Sequence, residues 1–437
     1  MTEVQRLAIL RNVRFVICQL ILPTLLVCGT ASAETIDSFY LHAGDTVVFY
    51  GDSITDQRLY TMLAEFYTVT RYPQRNIRFV HSGWGGDRVT GGGGGPIDVR
   101  LQRDVLAYHP TVMTIMLGMN DGRYVNHKTE DDETYYAGYR HLVETVRHAE
   151  PNLRITAIEP SPFDDVTRSF TLLPGGYNEV LRKYAEFIKH YANEAHVDVA
   201  DLNEPVVAML RKANAEDAAT AQKILPDRVH PALAGHLIMA EQLLKAWKAR
   251  PIVSSVIIDA SAEKVVAEME FTQVSGLKNA PLGWIETDEA LPLPFAAWLA
   301  DDKDHSIALA IKNSDITEAL NRQPLRVTGL AKGSYQLKID DSAVGTWSEK
   351  ELAEGVNLAV LDTPMTRQAV EVRDLTVRRI DIHQQRWRAV QVPLEKLSLE
   401  NLDRSLKDLD SLDAELAMRQ HAAAQPRPHA FQLVLAQ

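Results

Sequence analysis

The segment Val47-Val48-Phe49-Tyr50-Gly51-Asp52-Ser53-Ile54-Thr55-Asp56 runs from an apolar stretch into a glycine, with a serine two residues later. Gly51 permits a sharp turn. Thr55 or Asp56 is suited to cap a following helix. Ser53 is then expected at the end of a strand, with its N–H near the positive end of a helix, where an oxyanion would be stabilised. A serine so placed is a candidate nucleophile. On its own, a Gly-Asp-Ser triplet is equally at home in an ordinary turn.

Three further segments carry groups that such a serine would need. Pro226-Asp227-Arg228-Val229-His230-Pro231 places an aspartate and a histidine three residues apart. Asp227 can hold one imidazole tautomer and stabilise the imidazolium formed when His230 takes a proton. A following helix N-terminus would lower the His230 pKa and Asp227 would raise it; sequence leaves that balance open. Leu117-Gly118-Met119-Asn120-Asp121-Gly122 offers an uncharged amide donor, which serves either as an oxyanion ligand or as a helix or turn cap. His81-Ser82-Gly83-Trp84-Gly85-Gly86-Asp87-Arg88 is glycine-rich, as befits either exposed N–H groups or a flexible loop. Trp84 is read as a substrate wall or as packing on a sheet edge. The run Gly91–Gly95 lacks the Gly-Lys-Ser/Thr ending of a phosphate loop, which excludes nucleotide binding there.

These segments need a scaffold that gathers them. Apolar runs at Thr46–Tyr50, Ile77–His81, Thr111–Leu117, Arg154–Glu159 and Val197–Leu202 read as strands. Helical spacing marks Asp56–Thr70, Ile97–Tyr108, Glu133–Glu150, Gly176–Ala195 and Pro231–Ala249. The alternation predicts an α/β three-layer sandwich around a parallel sheet over residues 45–250. Ligands of such folds lie beyond the C-terminal strand ends, where the polar segments fall.

Taken together in chain order, the four blocks Gly51-Asp52-Ser53, Gly86-Asp87, Gly118-Met119-Asn120-Asp121 and Asp227-Arg228-Val229-His230 resemble the SGNH/GDSL hydrolase superfamily of serine esterases, secreted bacterial members with a C-terminal extension included. The resemblance covers residues 45–250 and implies a flavodoxin-like sheet. It implies Ser53 as nucleophile, His230 as base and Asp227 as its orienter. The Ser53 N–H, the Gly86 N–H and the Asn120 amide become the oxyanion hole. The family often has an asparagine before the second-block glycine, whereas this chain reads His81-Ser82-Gly83; Gly86 is therefore the first choice of donor and Gly83 the second.

The chain has 437 residues, 46% of them hydrophobic, which is ample for a large core and a second, smaller one. Arg6, Arg11 and Arg14, an apolar Phe15–Cys28 and Ala31-Ser32-Ala33 make residues 1–33 a signal peptide, with a retained anchor as the alternative. Both cysteines, Cys18 and Cys28, fall in it, so the mature chain would have no disulfide. The formal charge of −12 becomes −14 without that segment, because its three Arg and one Glu go with it. An acidic chain with no basic stripe argues against a nucleic-acid partner. No metal motif is present, His141 and His148 being seven apart on a helix, and no cofactor is expected.

Residues 34–250 are thus the expected hydrolase domain and 251–437 an α+β extension of unassigned role. Within the latter, Ile252–Phe271 is strand-like, Leu325–Ile339 reads as a hairpin turning at Gly329–Ser334, and Phe431–Leu435 as a final strand. Gln368–Arg388 and Leu397–Arg419 are helical in pattern. Trp247, Trp284, Trp298, Trp347 and Trp387 are expected in the core or at interfaces. The expected function is cleavage of a carboxylic ester, secreted or periplasmic, on an acylated small molecule or polysaccharide, without stable membrane insertion after signal cleavage. A lipase or lysophospholipase and a non-catalytic carbohydrate-binding protein are the alternatives. Oligomeric state is not legible.

Overall fold

The architecture is taken from a computed structural model that describes residues 38–124, 128–168, 175–261 and 266–436. The signal-peptide reading of residues 1–33 lies outside the described residues. Five parallel strands form the central sheet: β1 (Thr46–Gly51), β2 (Arg78–Gly83), β3 (Val112–Met116), β4 (Arg154–Ile158) and β5 (Asp198–Ala200). Their order is β2-β1-β3-β4-β5, with β1 hydrogen-bonded to both β2 and β3. This is the flavodoxin-like arrangement, and its strand order reverses beside β1. Residues 47–51 and 112–116 are wholly buried, as strands covered on both faces must be.

Helices cover both faces. They are α1 (Ser53–Asp56), α2 (Leu59–Arg71), α3 (Ile97–Asp104), α4 (Thr129–Ala149), α5 (Asn178–Ala195), α6 (Glu204–Glu216), α7 (Ala218–Ala221) and α8 (Leu233–Ala246). In α5 the buried residues Val180, Leu181, Tyr184, Ala185, Ile188, Tyr191 and Ala192 recur at helical spacing and leave one solvent face. Tyr184 stacks on Tyr135 of α4 with ring centroids 3.9 Å apart. Helix α2 is different: all but its first residue is buried. It packs against α8 and also against two C-terminal helices, Pro364–Gln384 and Leu402–Ala424.

The C-terminal region is α+β. Its five-stranded antiparallel sheet runs Thr272–Asn279, Leu282–Asp288, His429–Leu435, Ser334–Ile339, Ser342–Ser348 in spatial order. A four-stranded sheet holds Val356–Asn357, Pro324–Thr328, Ser255–Asp259 and Val266–Glu270. The expected hairpin over Leu325–Ile339 does not form. Pro324–Thr328 pairs with Ser255–Asp259, while Ser334–Ile339 pairs with Ser342–Ser348 in the other sheet. The actual hairpin turn is Asp340-Asp341, both at positive φ, as a two-residue turn between twisted strands requires. From Ser38 onward the chain forms one compact unit.

That unit has charge in its interior. Glu65 of α2 meets Arg379 Nη1 at 2.6 Å and His81 Nε2 at 2.9 Å, and Gln420 donates to it at 3.0 Å. Arg379 is 5% exposed and Glu65 not at all. Strand β2, helix α2 and both C-terminal helices therefore meet at one buried ionic knot. A second group lies near the C-terminal end of β1. Asp52, Asp87 and Asp121 are all buried, and Arg100 donates to Asp87 Oδ2 at 2.7 Å. Burial pushes the Asp52 carboxyl up to about 7, and the neighbouring charges of Asp121 and Asp87 add to this against a hydrogen bond from the Ile54 N–H. Burial also pushes Asp121 up to about 7.

Two outcomes follow. Arg379→Ala strands the Glu65 carboxylate, and denaturant unfolding should show a loss of about 3–5 kcal/mol; a loss below about 1 kcal/mol would contradict the knot. For Asp52, a raised folded pKa means that its contribution is complete below the ordinary aspartate range and is lost as pH climbs toward about 7. Asn keeps the cap without the charge. The stability of Asp52→Asn relative to wild type should therefore rise between pH 4 and 8 by a few kcal/mol, on the order of 1.4 kcal/mol per pKa unit. A difference independent of pH would refute the assignment.

Candidate active site

The turn that carries Ser53 depends on Gly51. A Cβ there would lie 2.2 Å from Thr55 Oγ1 and 2.7 Å from the Met116 carbonyl, so only glycine lets α1 fold back over the strand end beside β3. Asp52 caps α1 by accepting from the Ile54 N–H at 3.0 Å. Helix α1 thus begins at Ser53 itself, and the expected caps Thr55 and Asp56 lie inside it. Thr55 Oγ1 instead pairs with the Tyr60 hydroxyl at 2.9 Å.

Ser53 Oγ lies 2.8 Å from His230 Nε2, and His230 Nδ1 lies 2.7 Å from Asp227 Oδ2. With a carboxylate beside Nδ1, that nitrogen carries the hydrogen and Nε2 is bare toward the serine. The other carboxylate oxygen, Asp227 Oδ1, accepts from the N–H groups of His230 at 2.7 Å and Val229 at 3.0 Å. Burial works to raise the Asp227 pKa, but these hydrogen bonds prevail and hold it below the usual carboxylate range. The Asp227 side chain is 56% exposed and that of His230 37%, so the row opens to solvent. Helix α8 begins only at Leu233, so His230 stands in the loop ahead of it rather than at its cap.

Arginines, one of them outside any motif, hold this loop. Arg168 donates to the carbonyls of Leu225 and Pro226 at 2.6 and 2.9 Å. Arg228, at φ +74°, donates to the Arg168 carbonyl at 2.8 Å, and its own carbonyl accepts from the Asp164 N–H at 2.9 Å. Gln57, just past α1, joins the two halves of the site. Its backbone N–H returns to the Ser53 carbonyl at 2.9 Å, its side-chain amide donates to the Pro231 carbonyl at 3.4 Å, and its Oε1 meets His236 Nε2 at 3.0 Å. Burial lowers His236 to about 3, so its ring stays neutral there. Gln57 gave no signal inside the helix expected over Asp56–Thr70.

The second and third blocks lie alongside. The two candidate glycines differ sharply. Gly83 ends β2 under α1, where a Cβ would lie 2.2 Å from the Asp56 nitrogen. Gly86 is exposed, at φ +78°, with open space around it, and a Cβ on its neighbour Gly85 would be 3.9 Å from Ser53 Cβ. Asn120 Nδ2 donates to the Asp87 carbonyl at 3.0 Å, and the Tyr124 hydroxyl donates to Asn120 Oδ1 at 3.1 Å. Tyr124 thereby fixes which end of the amide presents its hydrogens. Tyr124 in turn stacks on Tyr177 at 4.9 Å.

Trp84 is packed, not free. Arg388 lies 3.4 Å above its ring, Trp387 meets it edge-on at 5.6 Å, and a Cβ on Gly94 would lie 2.7 Å from the indole. The glycine run at 91–95 therefore serves close backbone approach to a tryptophan. Among the described residues no group of three or more His, Cys, Asp or Glu side chains could hold a metal ion. No described helix is long and apolar enough to cross a membrane.

This arrangement can do proton transfer from a serine and electrostatic stabilisation of an oxyanion. Residues 49–238 match the GDSL-like Lipase/Acylhydrolase family. An acetylxylan esterase of Geobacillus stearothermophilus is 26% identical over 229 residues, 46% of this chain and 94% of that protein. A solved gut microbial diltiazem-metabolizing enzyme is 26% identical with a TM-score of 0.75, covering 91% of this chain and all of its own. That second match extends through the C-terminal sheets as well as the parallel one. By residues 49–238 the chain belongs to the SGNH/GDSL hydrolase superfamily, and it is a carboxylic ester hydrolase.

Proposed function

We propose that the chain removes acyl groups, acetyl above all, from an acylated carbohydrate, using Ser53, His230 and Asp227 as a catalytic triad. The observation that carries this reading is the continuous hydrogen-bonded row from Ser53 Oγ through His230 to Asp227, at 2.8 and 2.7 Å. Ser53 Oγ attacks the ester carbonyl carbon while its proton passes to His230 Nε2. The oxygen left negative is received by the N–H groups of Ser53 and Gly86 and by Asn120 Nδ2. Neither of those two N–H groups has a protein acceptor among the described residues. The alkoxide leaves with the His230 proton. Water then attacks the acyl carbon while giving a proton to His230, and the acyl–Oγ bond breaks as His230 returns that proton to Ser53 Oγ, releasing the acid and free Ser53.

The substrate class rests on two supports. The curated relative is an acetylxylan esterase, which points to O-acetyl groups on a polysaccharide. The openness of Asp227 and His230 suits an acyl group presented on a bulky polymer better than a long lipid chain drawn into a tunnel. Residues 1–33, with their basic, apolar and small-residue sequence, support placement outside the cytoplasm.

Acetate release from acetylated xylan and from a chromogenic acetate tests the reading. Ser53→Ala should lower kcat by about 10⁴–10⁶-fold. Asn120→Ala should lower it about 10²–10³-fold with little change in KM. Wild-type turnover in Ser53→Ala would refute the triad. Cleavage of the chromogenic ester without any release from acetylated sugars or polysaccharides would refute the substrate class.

A further inference from the structure

The C-terminal half reaches the edge of the site beside Trp84. Helix Pro364–Gln384 continues into a π-helical turn, Gln385–Gln391. Such insertions project side chains that a regular helix would keep on its flank, and they recur at functional sites. This one projects Trp387 and Arg388. Trp387 is buried and donates through Nε1 to Asp104 Oδ1 at 2.6 Å, which fixes the turn on the hydrolase domain. Arg388 then lies over the Trp84 ring at 3.4 Å and places Nη1 3.5 Å from Asp56 Oδ2.

Both contacts bear on the loop that carries Gly86. Asp56 Oδ2 is also the acceptor of the Gly85 N–H, at 3.2 Å. Trp84, two residues before Gly86, is held between the Arg388 guanidinium and the backbone of Gly93 and Gly94. The loop is anchored after Gly86 at buried Asp87, whose N–H returns to the Trp84 carbonyl at 3.1 Å and whose carbonyl accepts from Asn120; between these anchors Gly85 and Gly86 follow in succession and leave the backbone there free to turn. A donor aimed at a developing oxyanion must be fixed before the reaction. The direction of the Gly86 N–H therefore depends on Asp87 on one side and on Asp56 and Trp84 on the other, and the latter two both meet Arg388.

We propose that Arg388 is a positioning residue for the oxyanion hole: it clamps Trp84 and Asp56 so that the Gly86 N–H faces the Ser53 reaction centre. The C-terminal half is then part of the catalytic apparatus. This rests on the triad and oxyanion reading above.

The test is kcat and KM for 4-nitrophenyl acetate, with thermal midpoints, on full-length wild type, Ser53→Ala, Arg388→Met, Arg388→Lys, Asp56→Asn and the double variant Asp56→Asn/Arg388→Met. Arg388→Met should lower kcat about ten-fold, since small displacements of a reacting constellation cost that much or more. KM should stay within about two-fold, as expected when only transition-state stabilisation is lost. Arg388→Lys, which keeps the cation over the indole, should recover part of the loss. The double variant should lose less than the product of the two single losses, because the Arg388–Asp56 contact is shared between them. An unchanged kcat in Arg388→Met, a loss confined to KM, or losses that multiply in the double variant would each overturn the proposal. Should Arg388→Met lose its folded midpoint, the same kcat and KM split in Arg388→Lys decides. An inactive Ser53→Ala beside a fully active Arg388→Met overturns this inference alone; a fully active Ser53→Ala overturns the triad and this inference with it.

Discussion

The hydrogen bond between Ser53 Oγ and His230 Nε2 joins atoms 177 residues apart in the chain, and it holds only if two loops are fixed independently to within a few tenths of an ångström. One loop is fixed by the end of β1, where Gly51 admits α1 against Met116 and Asp52 caps the turn. The other is fixed by Arg168, by the loop's own Arg228 reaching back to the Arg168 carbonyl, and by Gln57. Strand order does the rest. Since β1 lies between β2 and β3, the loops carrying Gly86 and Asn120 flank the serine on either side. A parallel sheet puts all of these loops at the same strand ends, so the fold concentrates polar groups without threading them through the core.

The same edge carries a cost. Asp52, Asp87 and Asp121 are buried close to the proposed oxyanion site; Arg100 pairs with Asp87, and the Arg88 charge favours the ionised form of Asp121. Protonation offsets part of that burden, since burial lifts Asp52 and Asp121 toward neutral pH. Elsewhere the interior charge is paired and serves assembly. Glu65, His81, Arg379 and Gln420 come from α2, β2 and both C-terminal helices, and no one of these elements satisfies its own polar group. A buried ionic knot of this kind adds little net stability over an apolar core, but it penalises any docking of the helices out of register. The C-terminal half is thus tied to the hydrolase domain at the knot under α2 and again at Trp387.

Much of this was legible from residue order. The alternation of apolar runs with helical spacing located all five parallel strands to within a few residues, because strands buried on both faces read as unbroken apolar stretches. The four polar blocks were visible because each follows a strand or precedes a helix. What escaped was long-range. Leu325–Ile339 has two strand-like runs around a glycine turn, a local pattern identical to a hairpin, yet its halves join different sheets. Nothing local separates the two outcomes, since pairing is decided by partners at Ser255–Asp259 and Ser342–Ser348. Helix α6, Glu204–Glu216, went unread, although Val206, Val207, Met209 and Leu210 bury one face of it. Gln57, Tyr124 and Arg388 act through contacts that no spacing rule announces. The ambiguity between Gly83 and Gly86 was also beyond sequence, because it turns on the Asp56 backbone lying against one and open space around the other.

The proposed triad makes Ser53 the one activated nucleophile. Mass spectrometry of the intact protein after brief exposure to a fluorophosphonate, followed by peptide mapping, tests that directly. The prediction is a single covalent adduct on Ser53, formed rapidly in wild type and far more slowly in His230→Ala. An adduct on another serine, or equal rates of labelling in wild type and His230→Ala, would contradict the account.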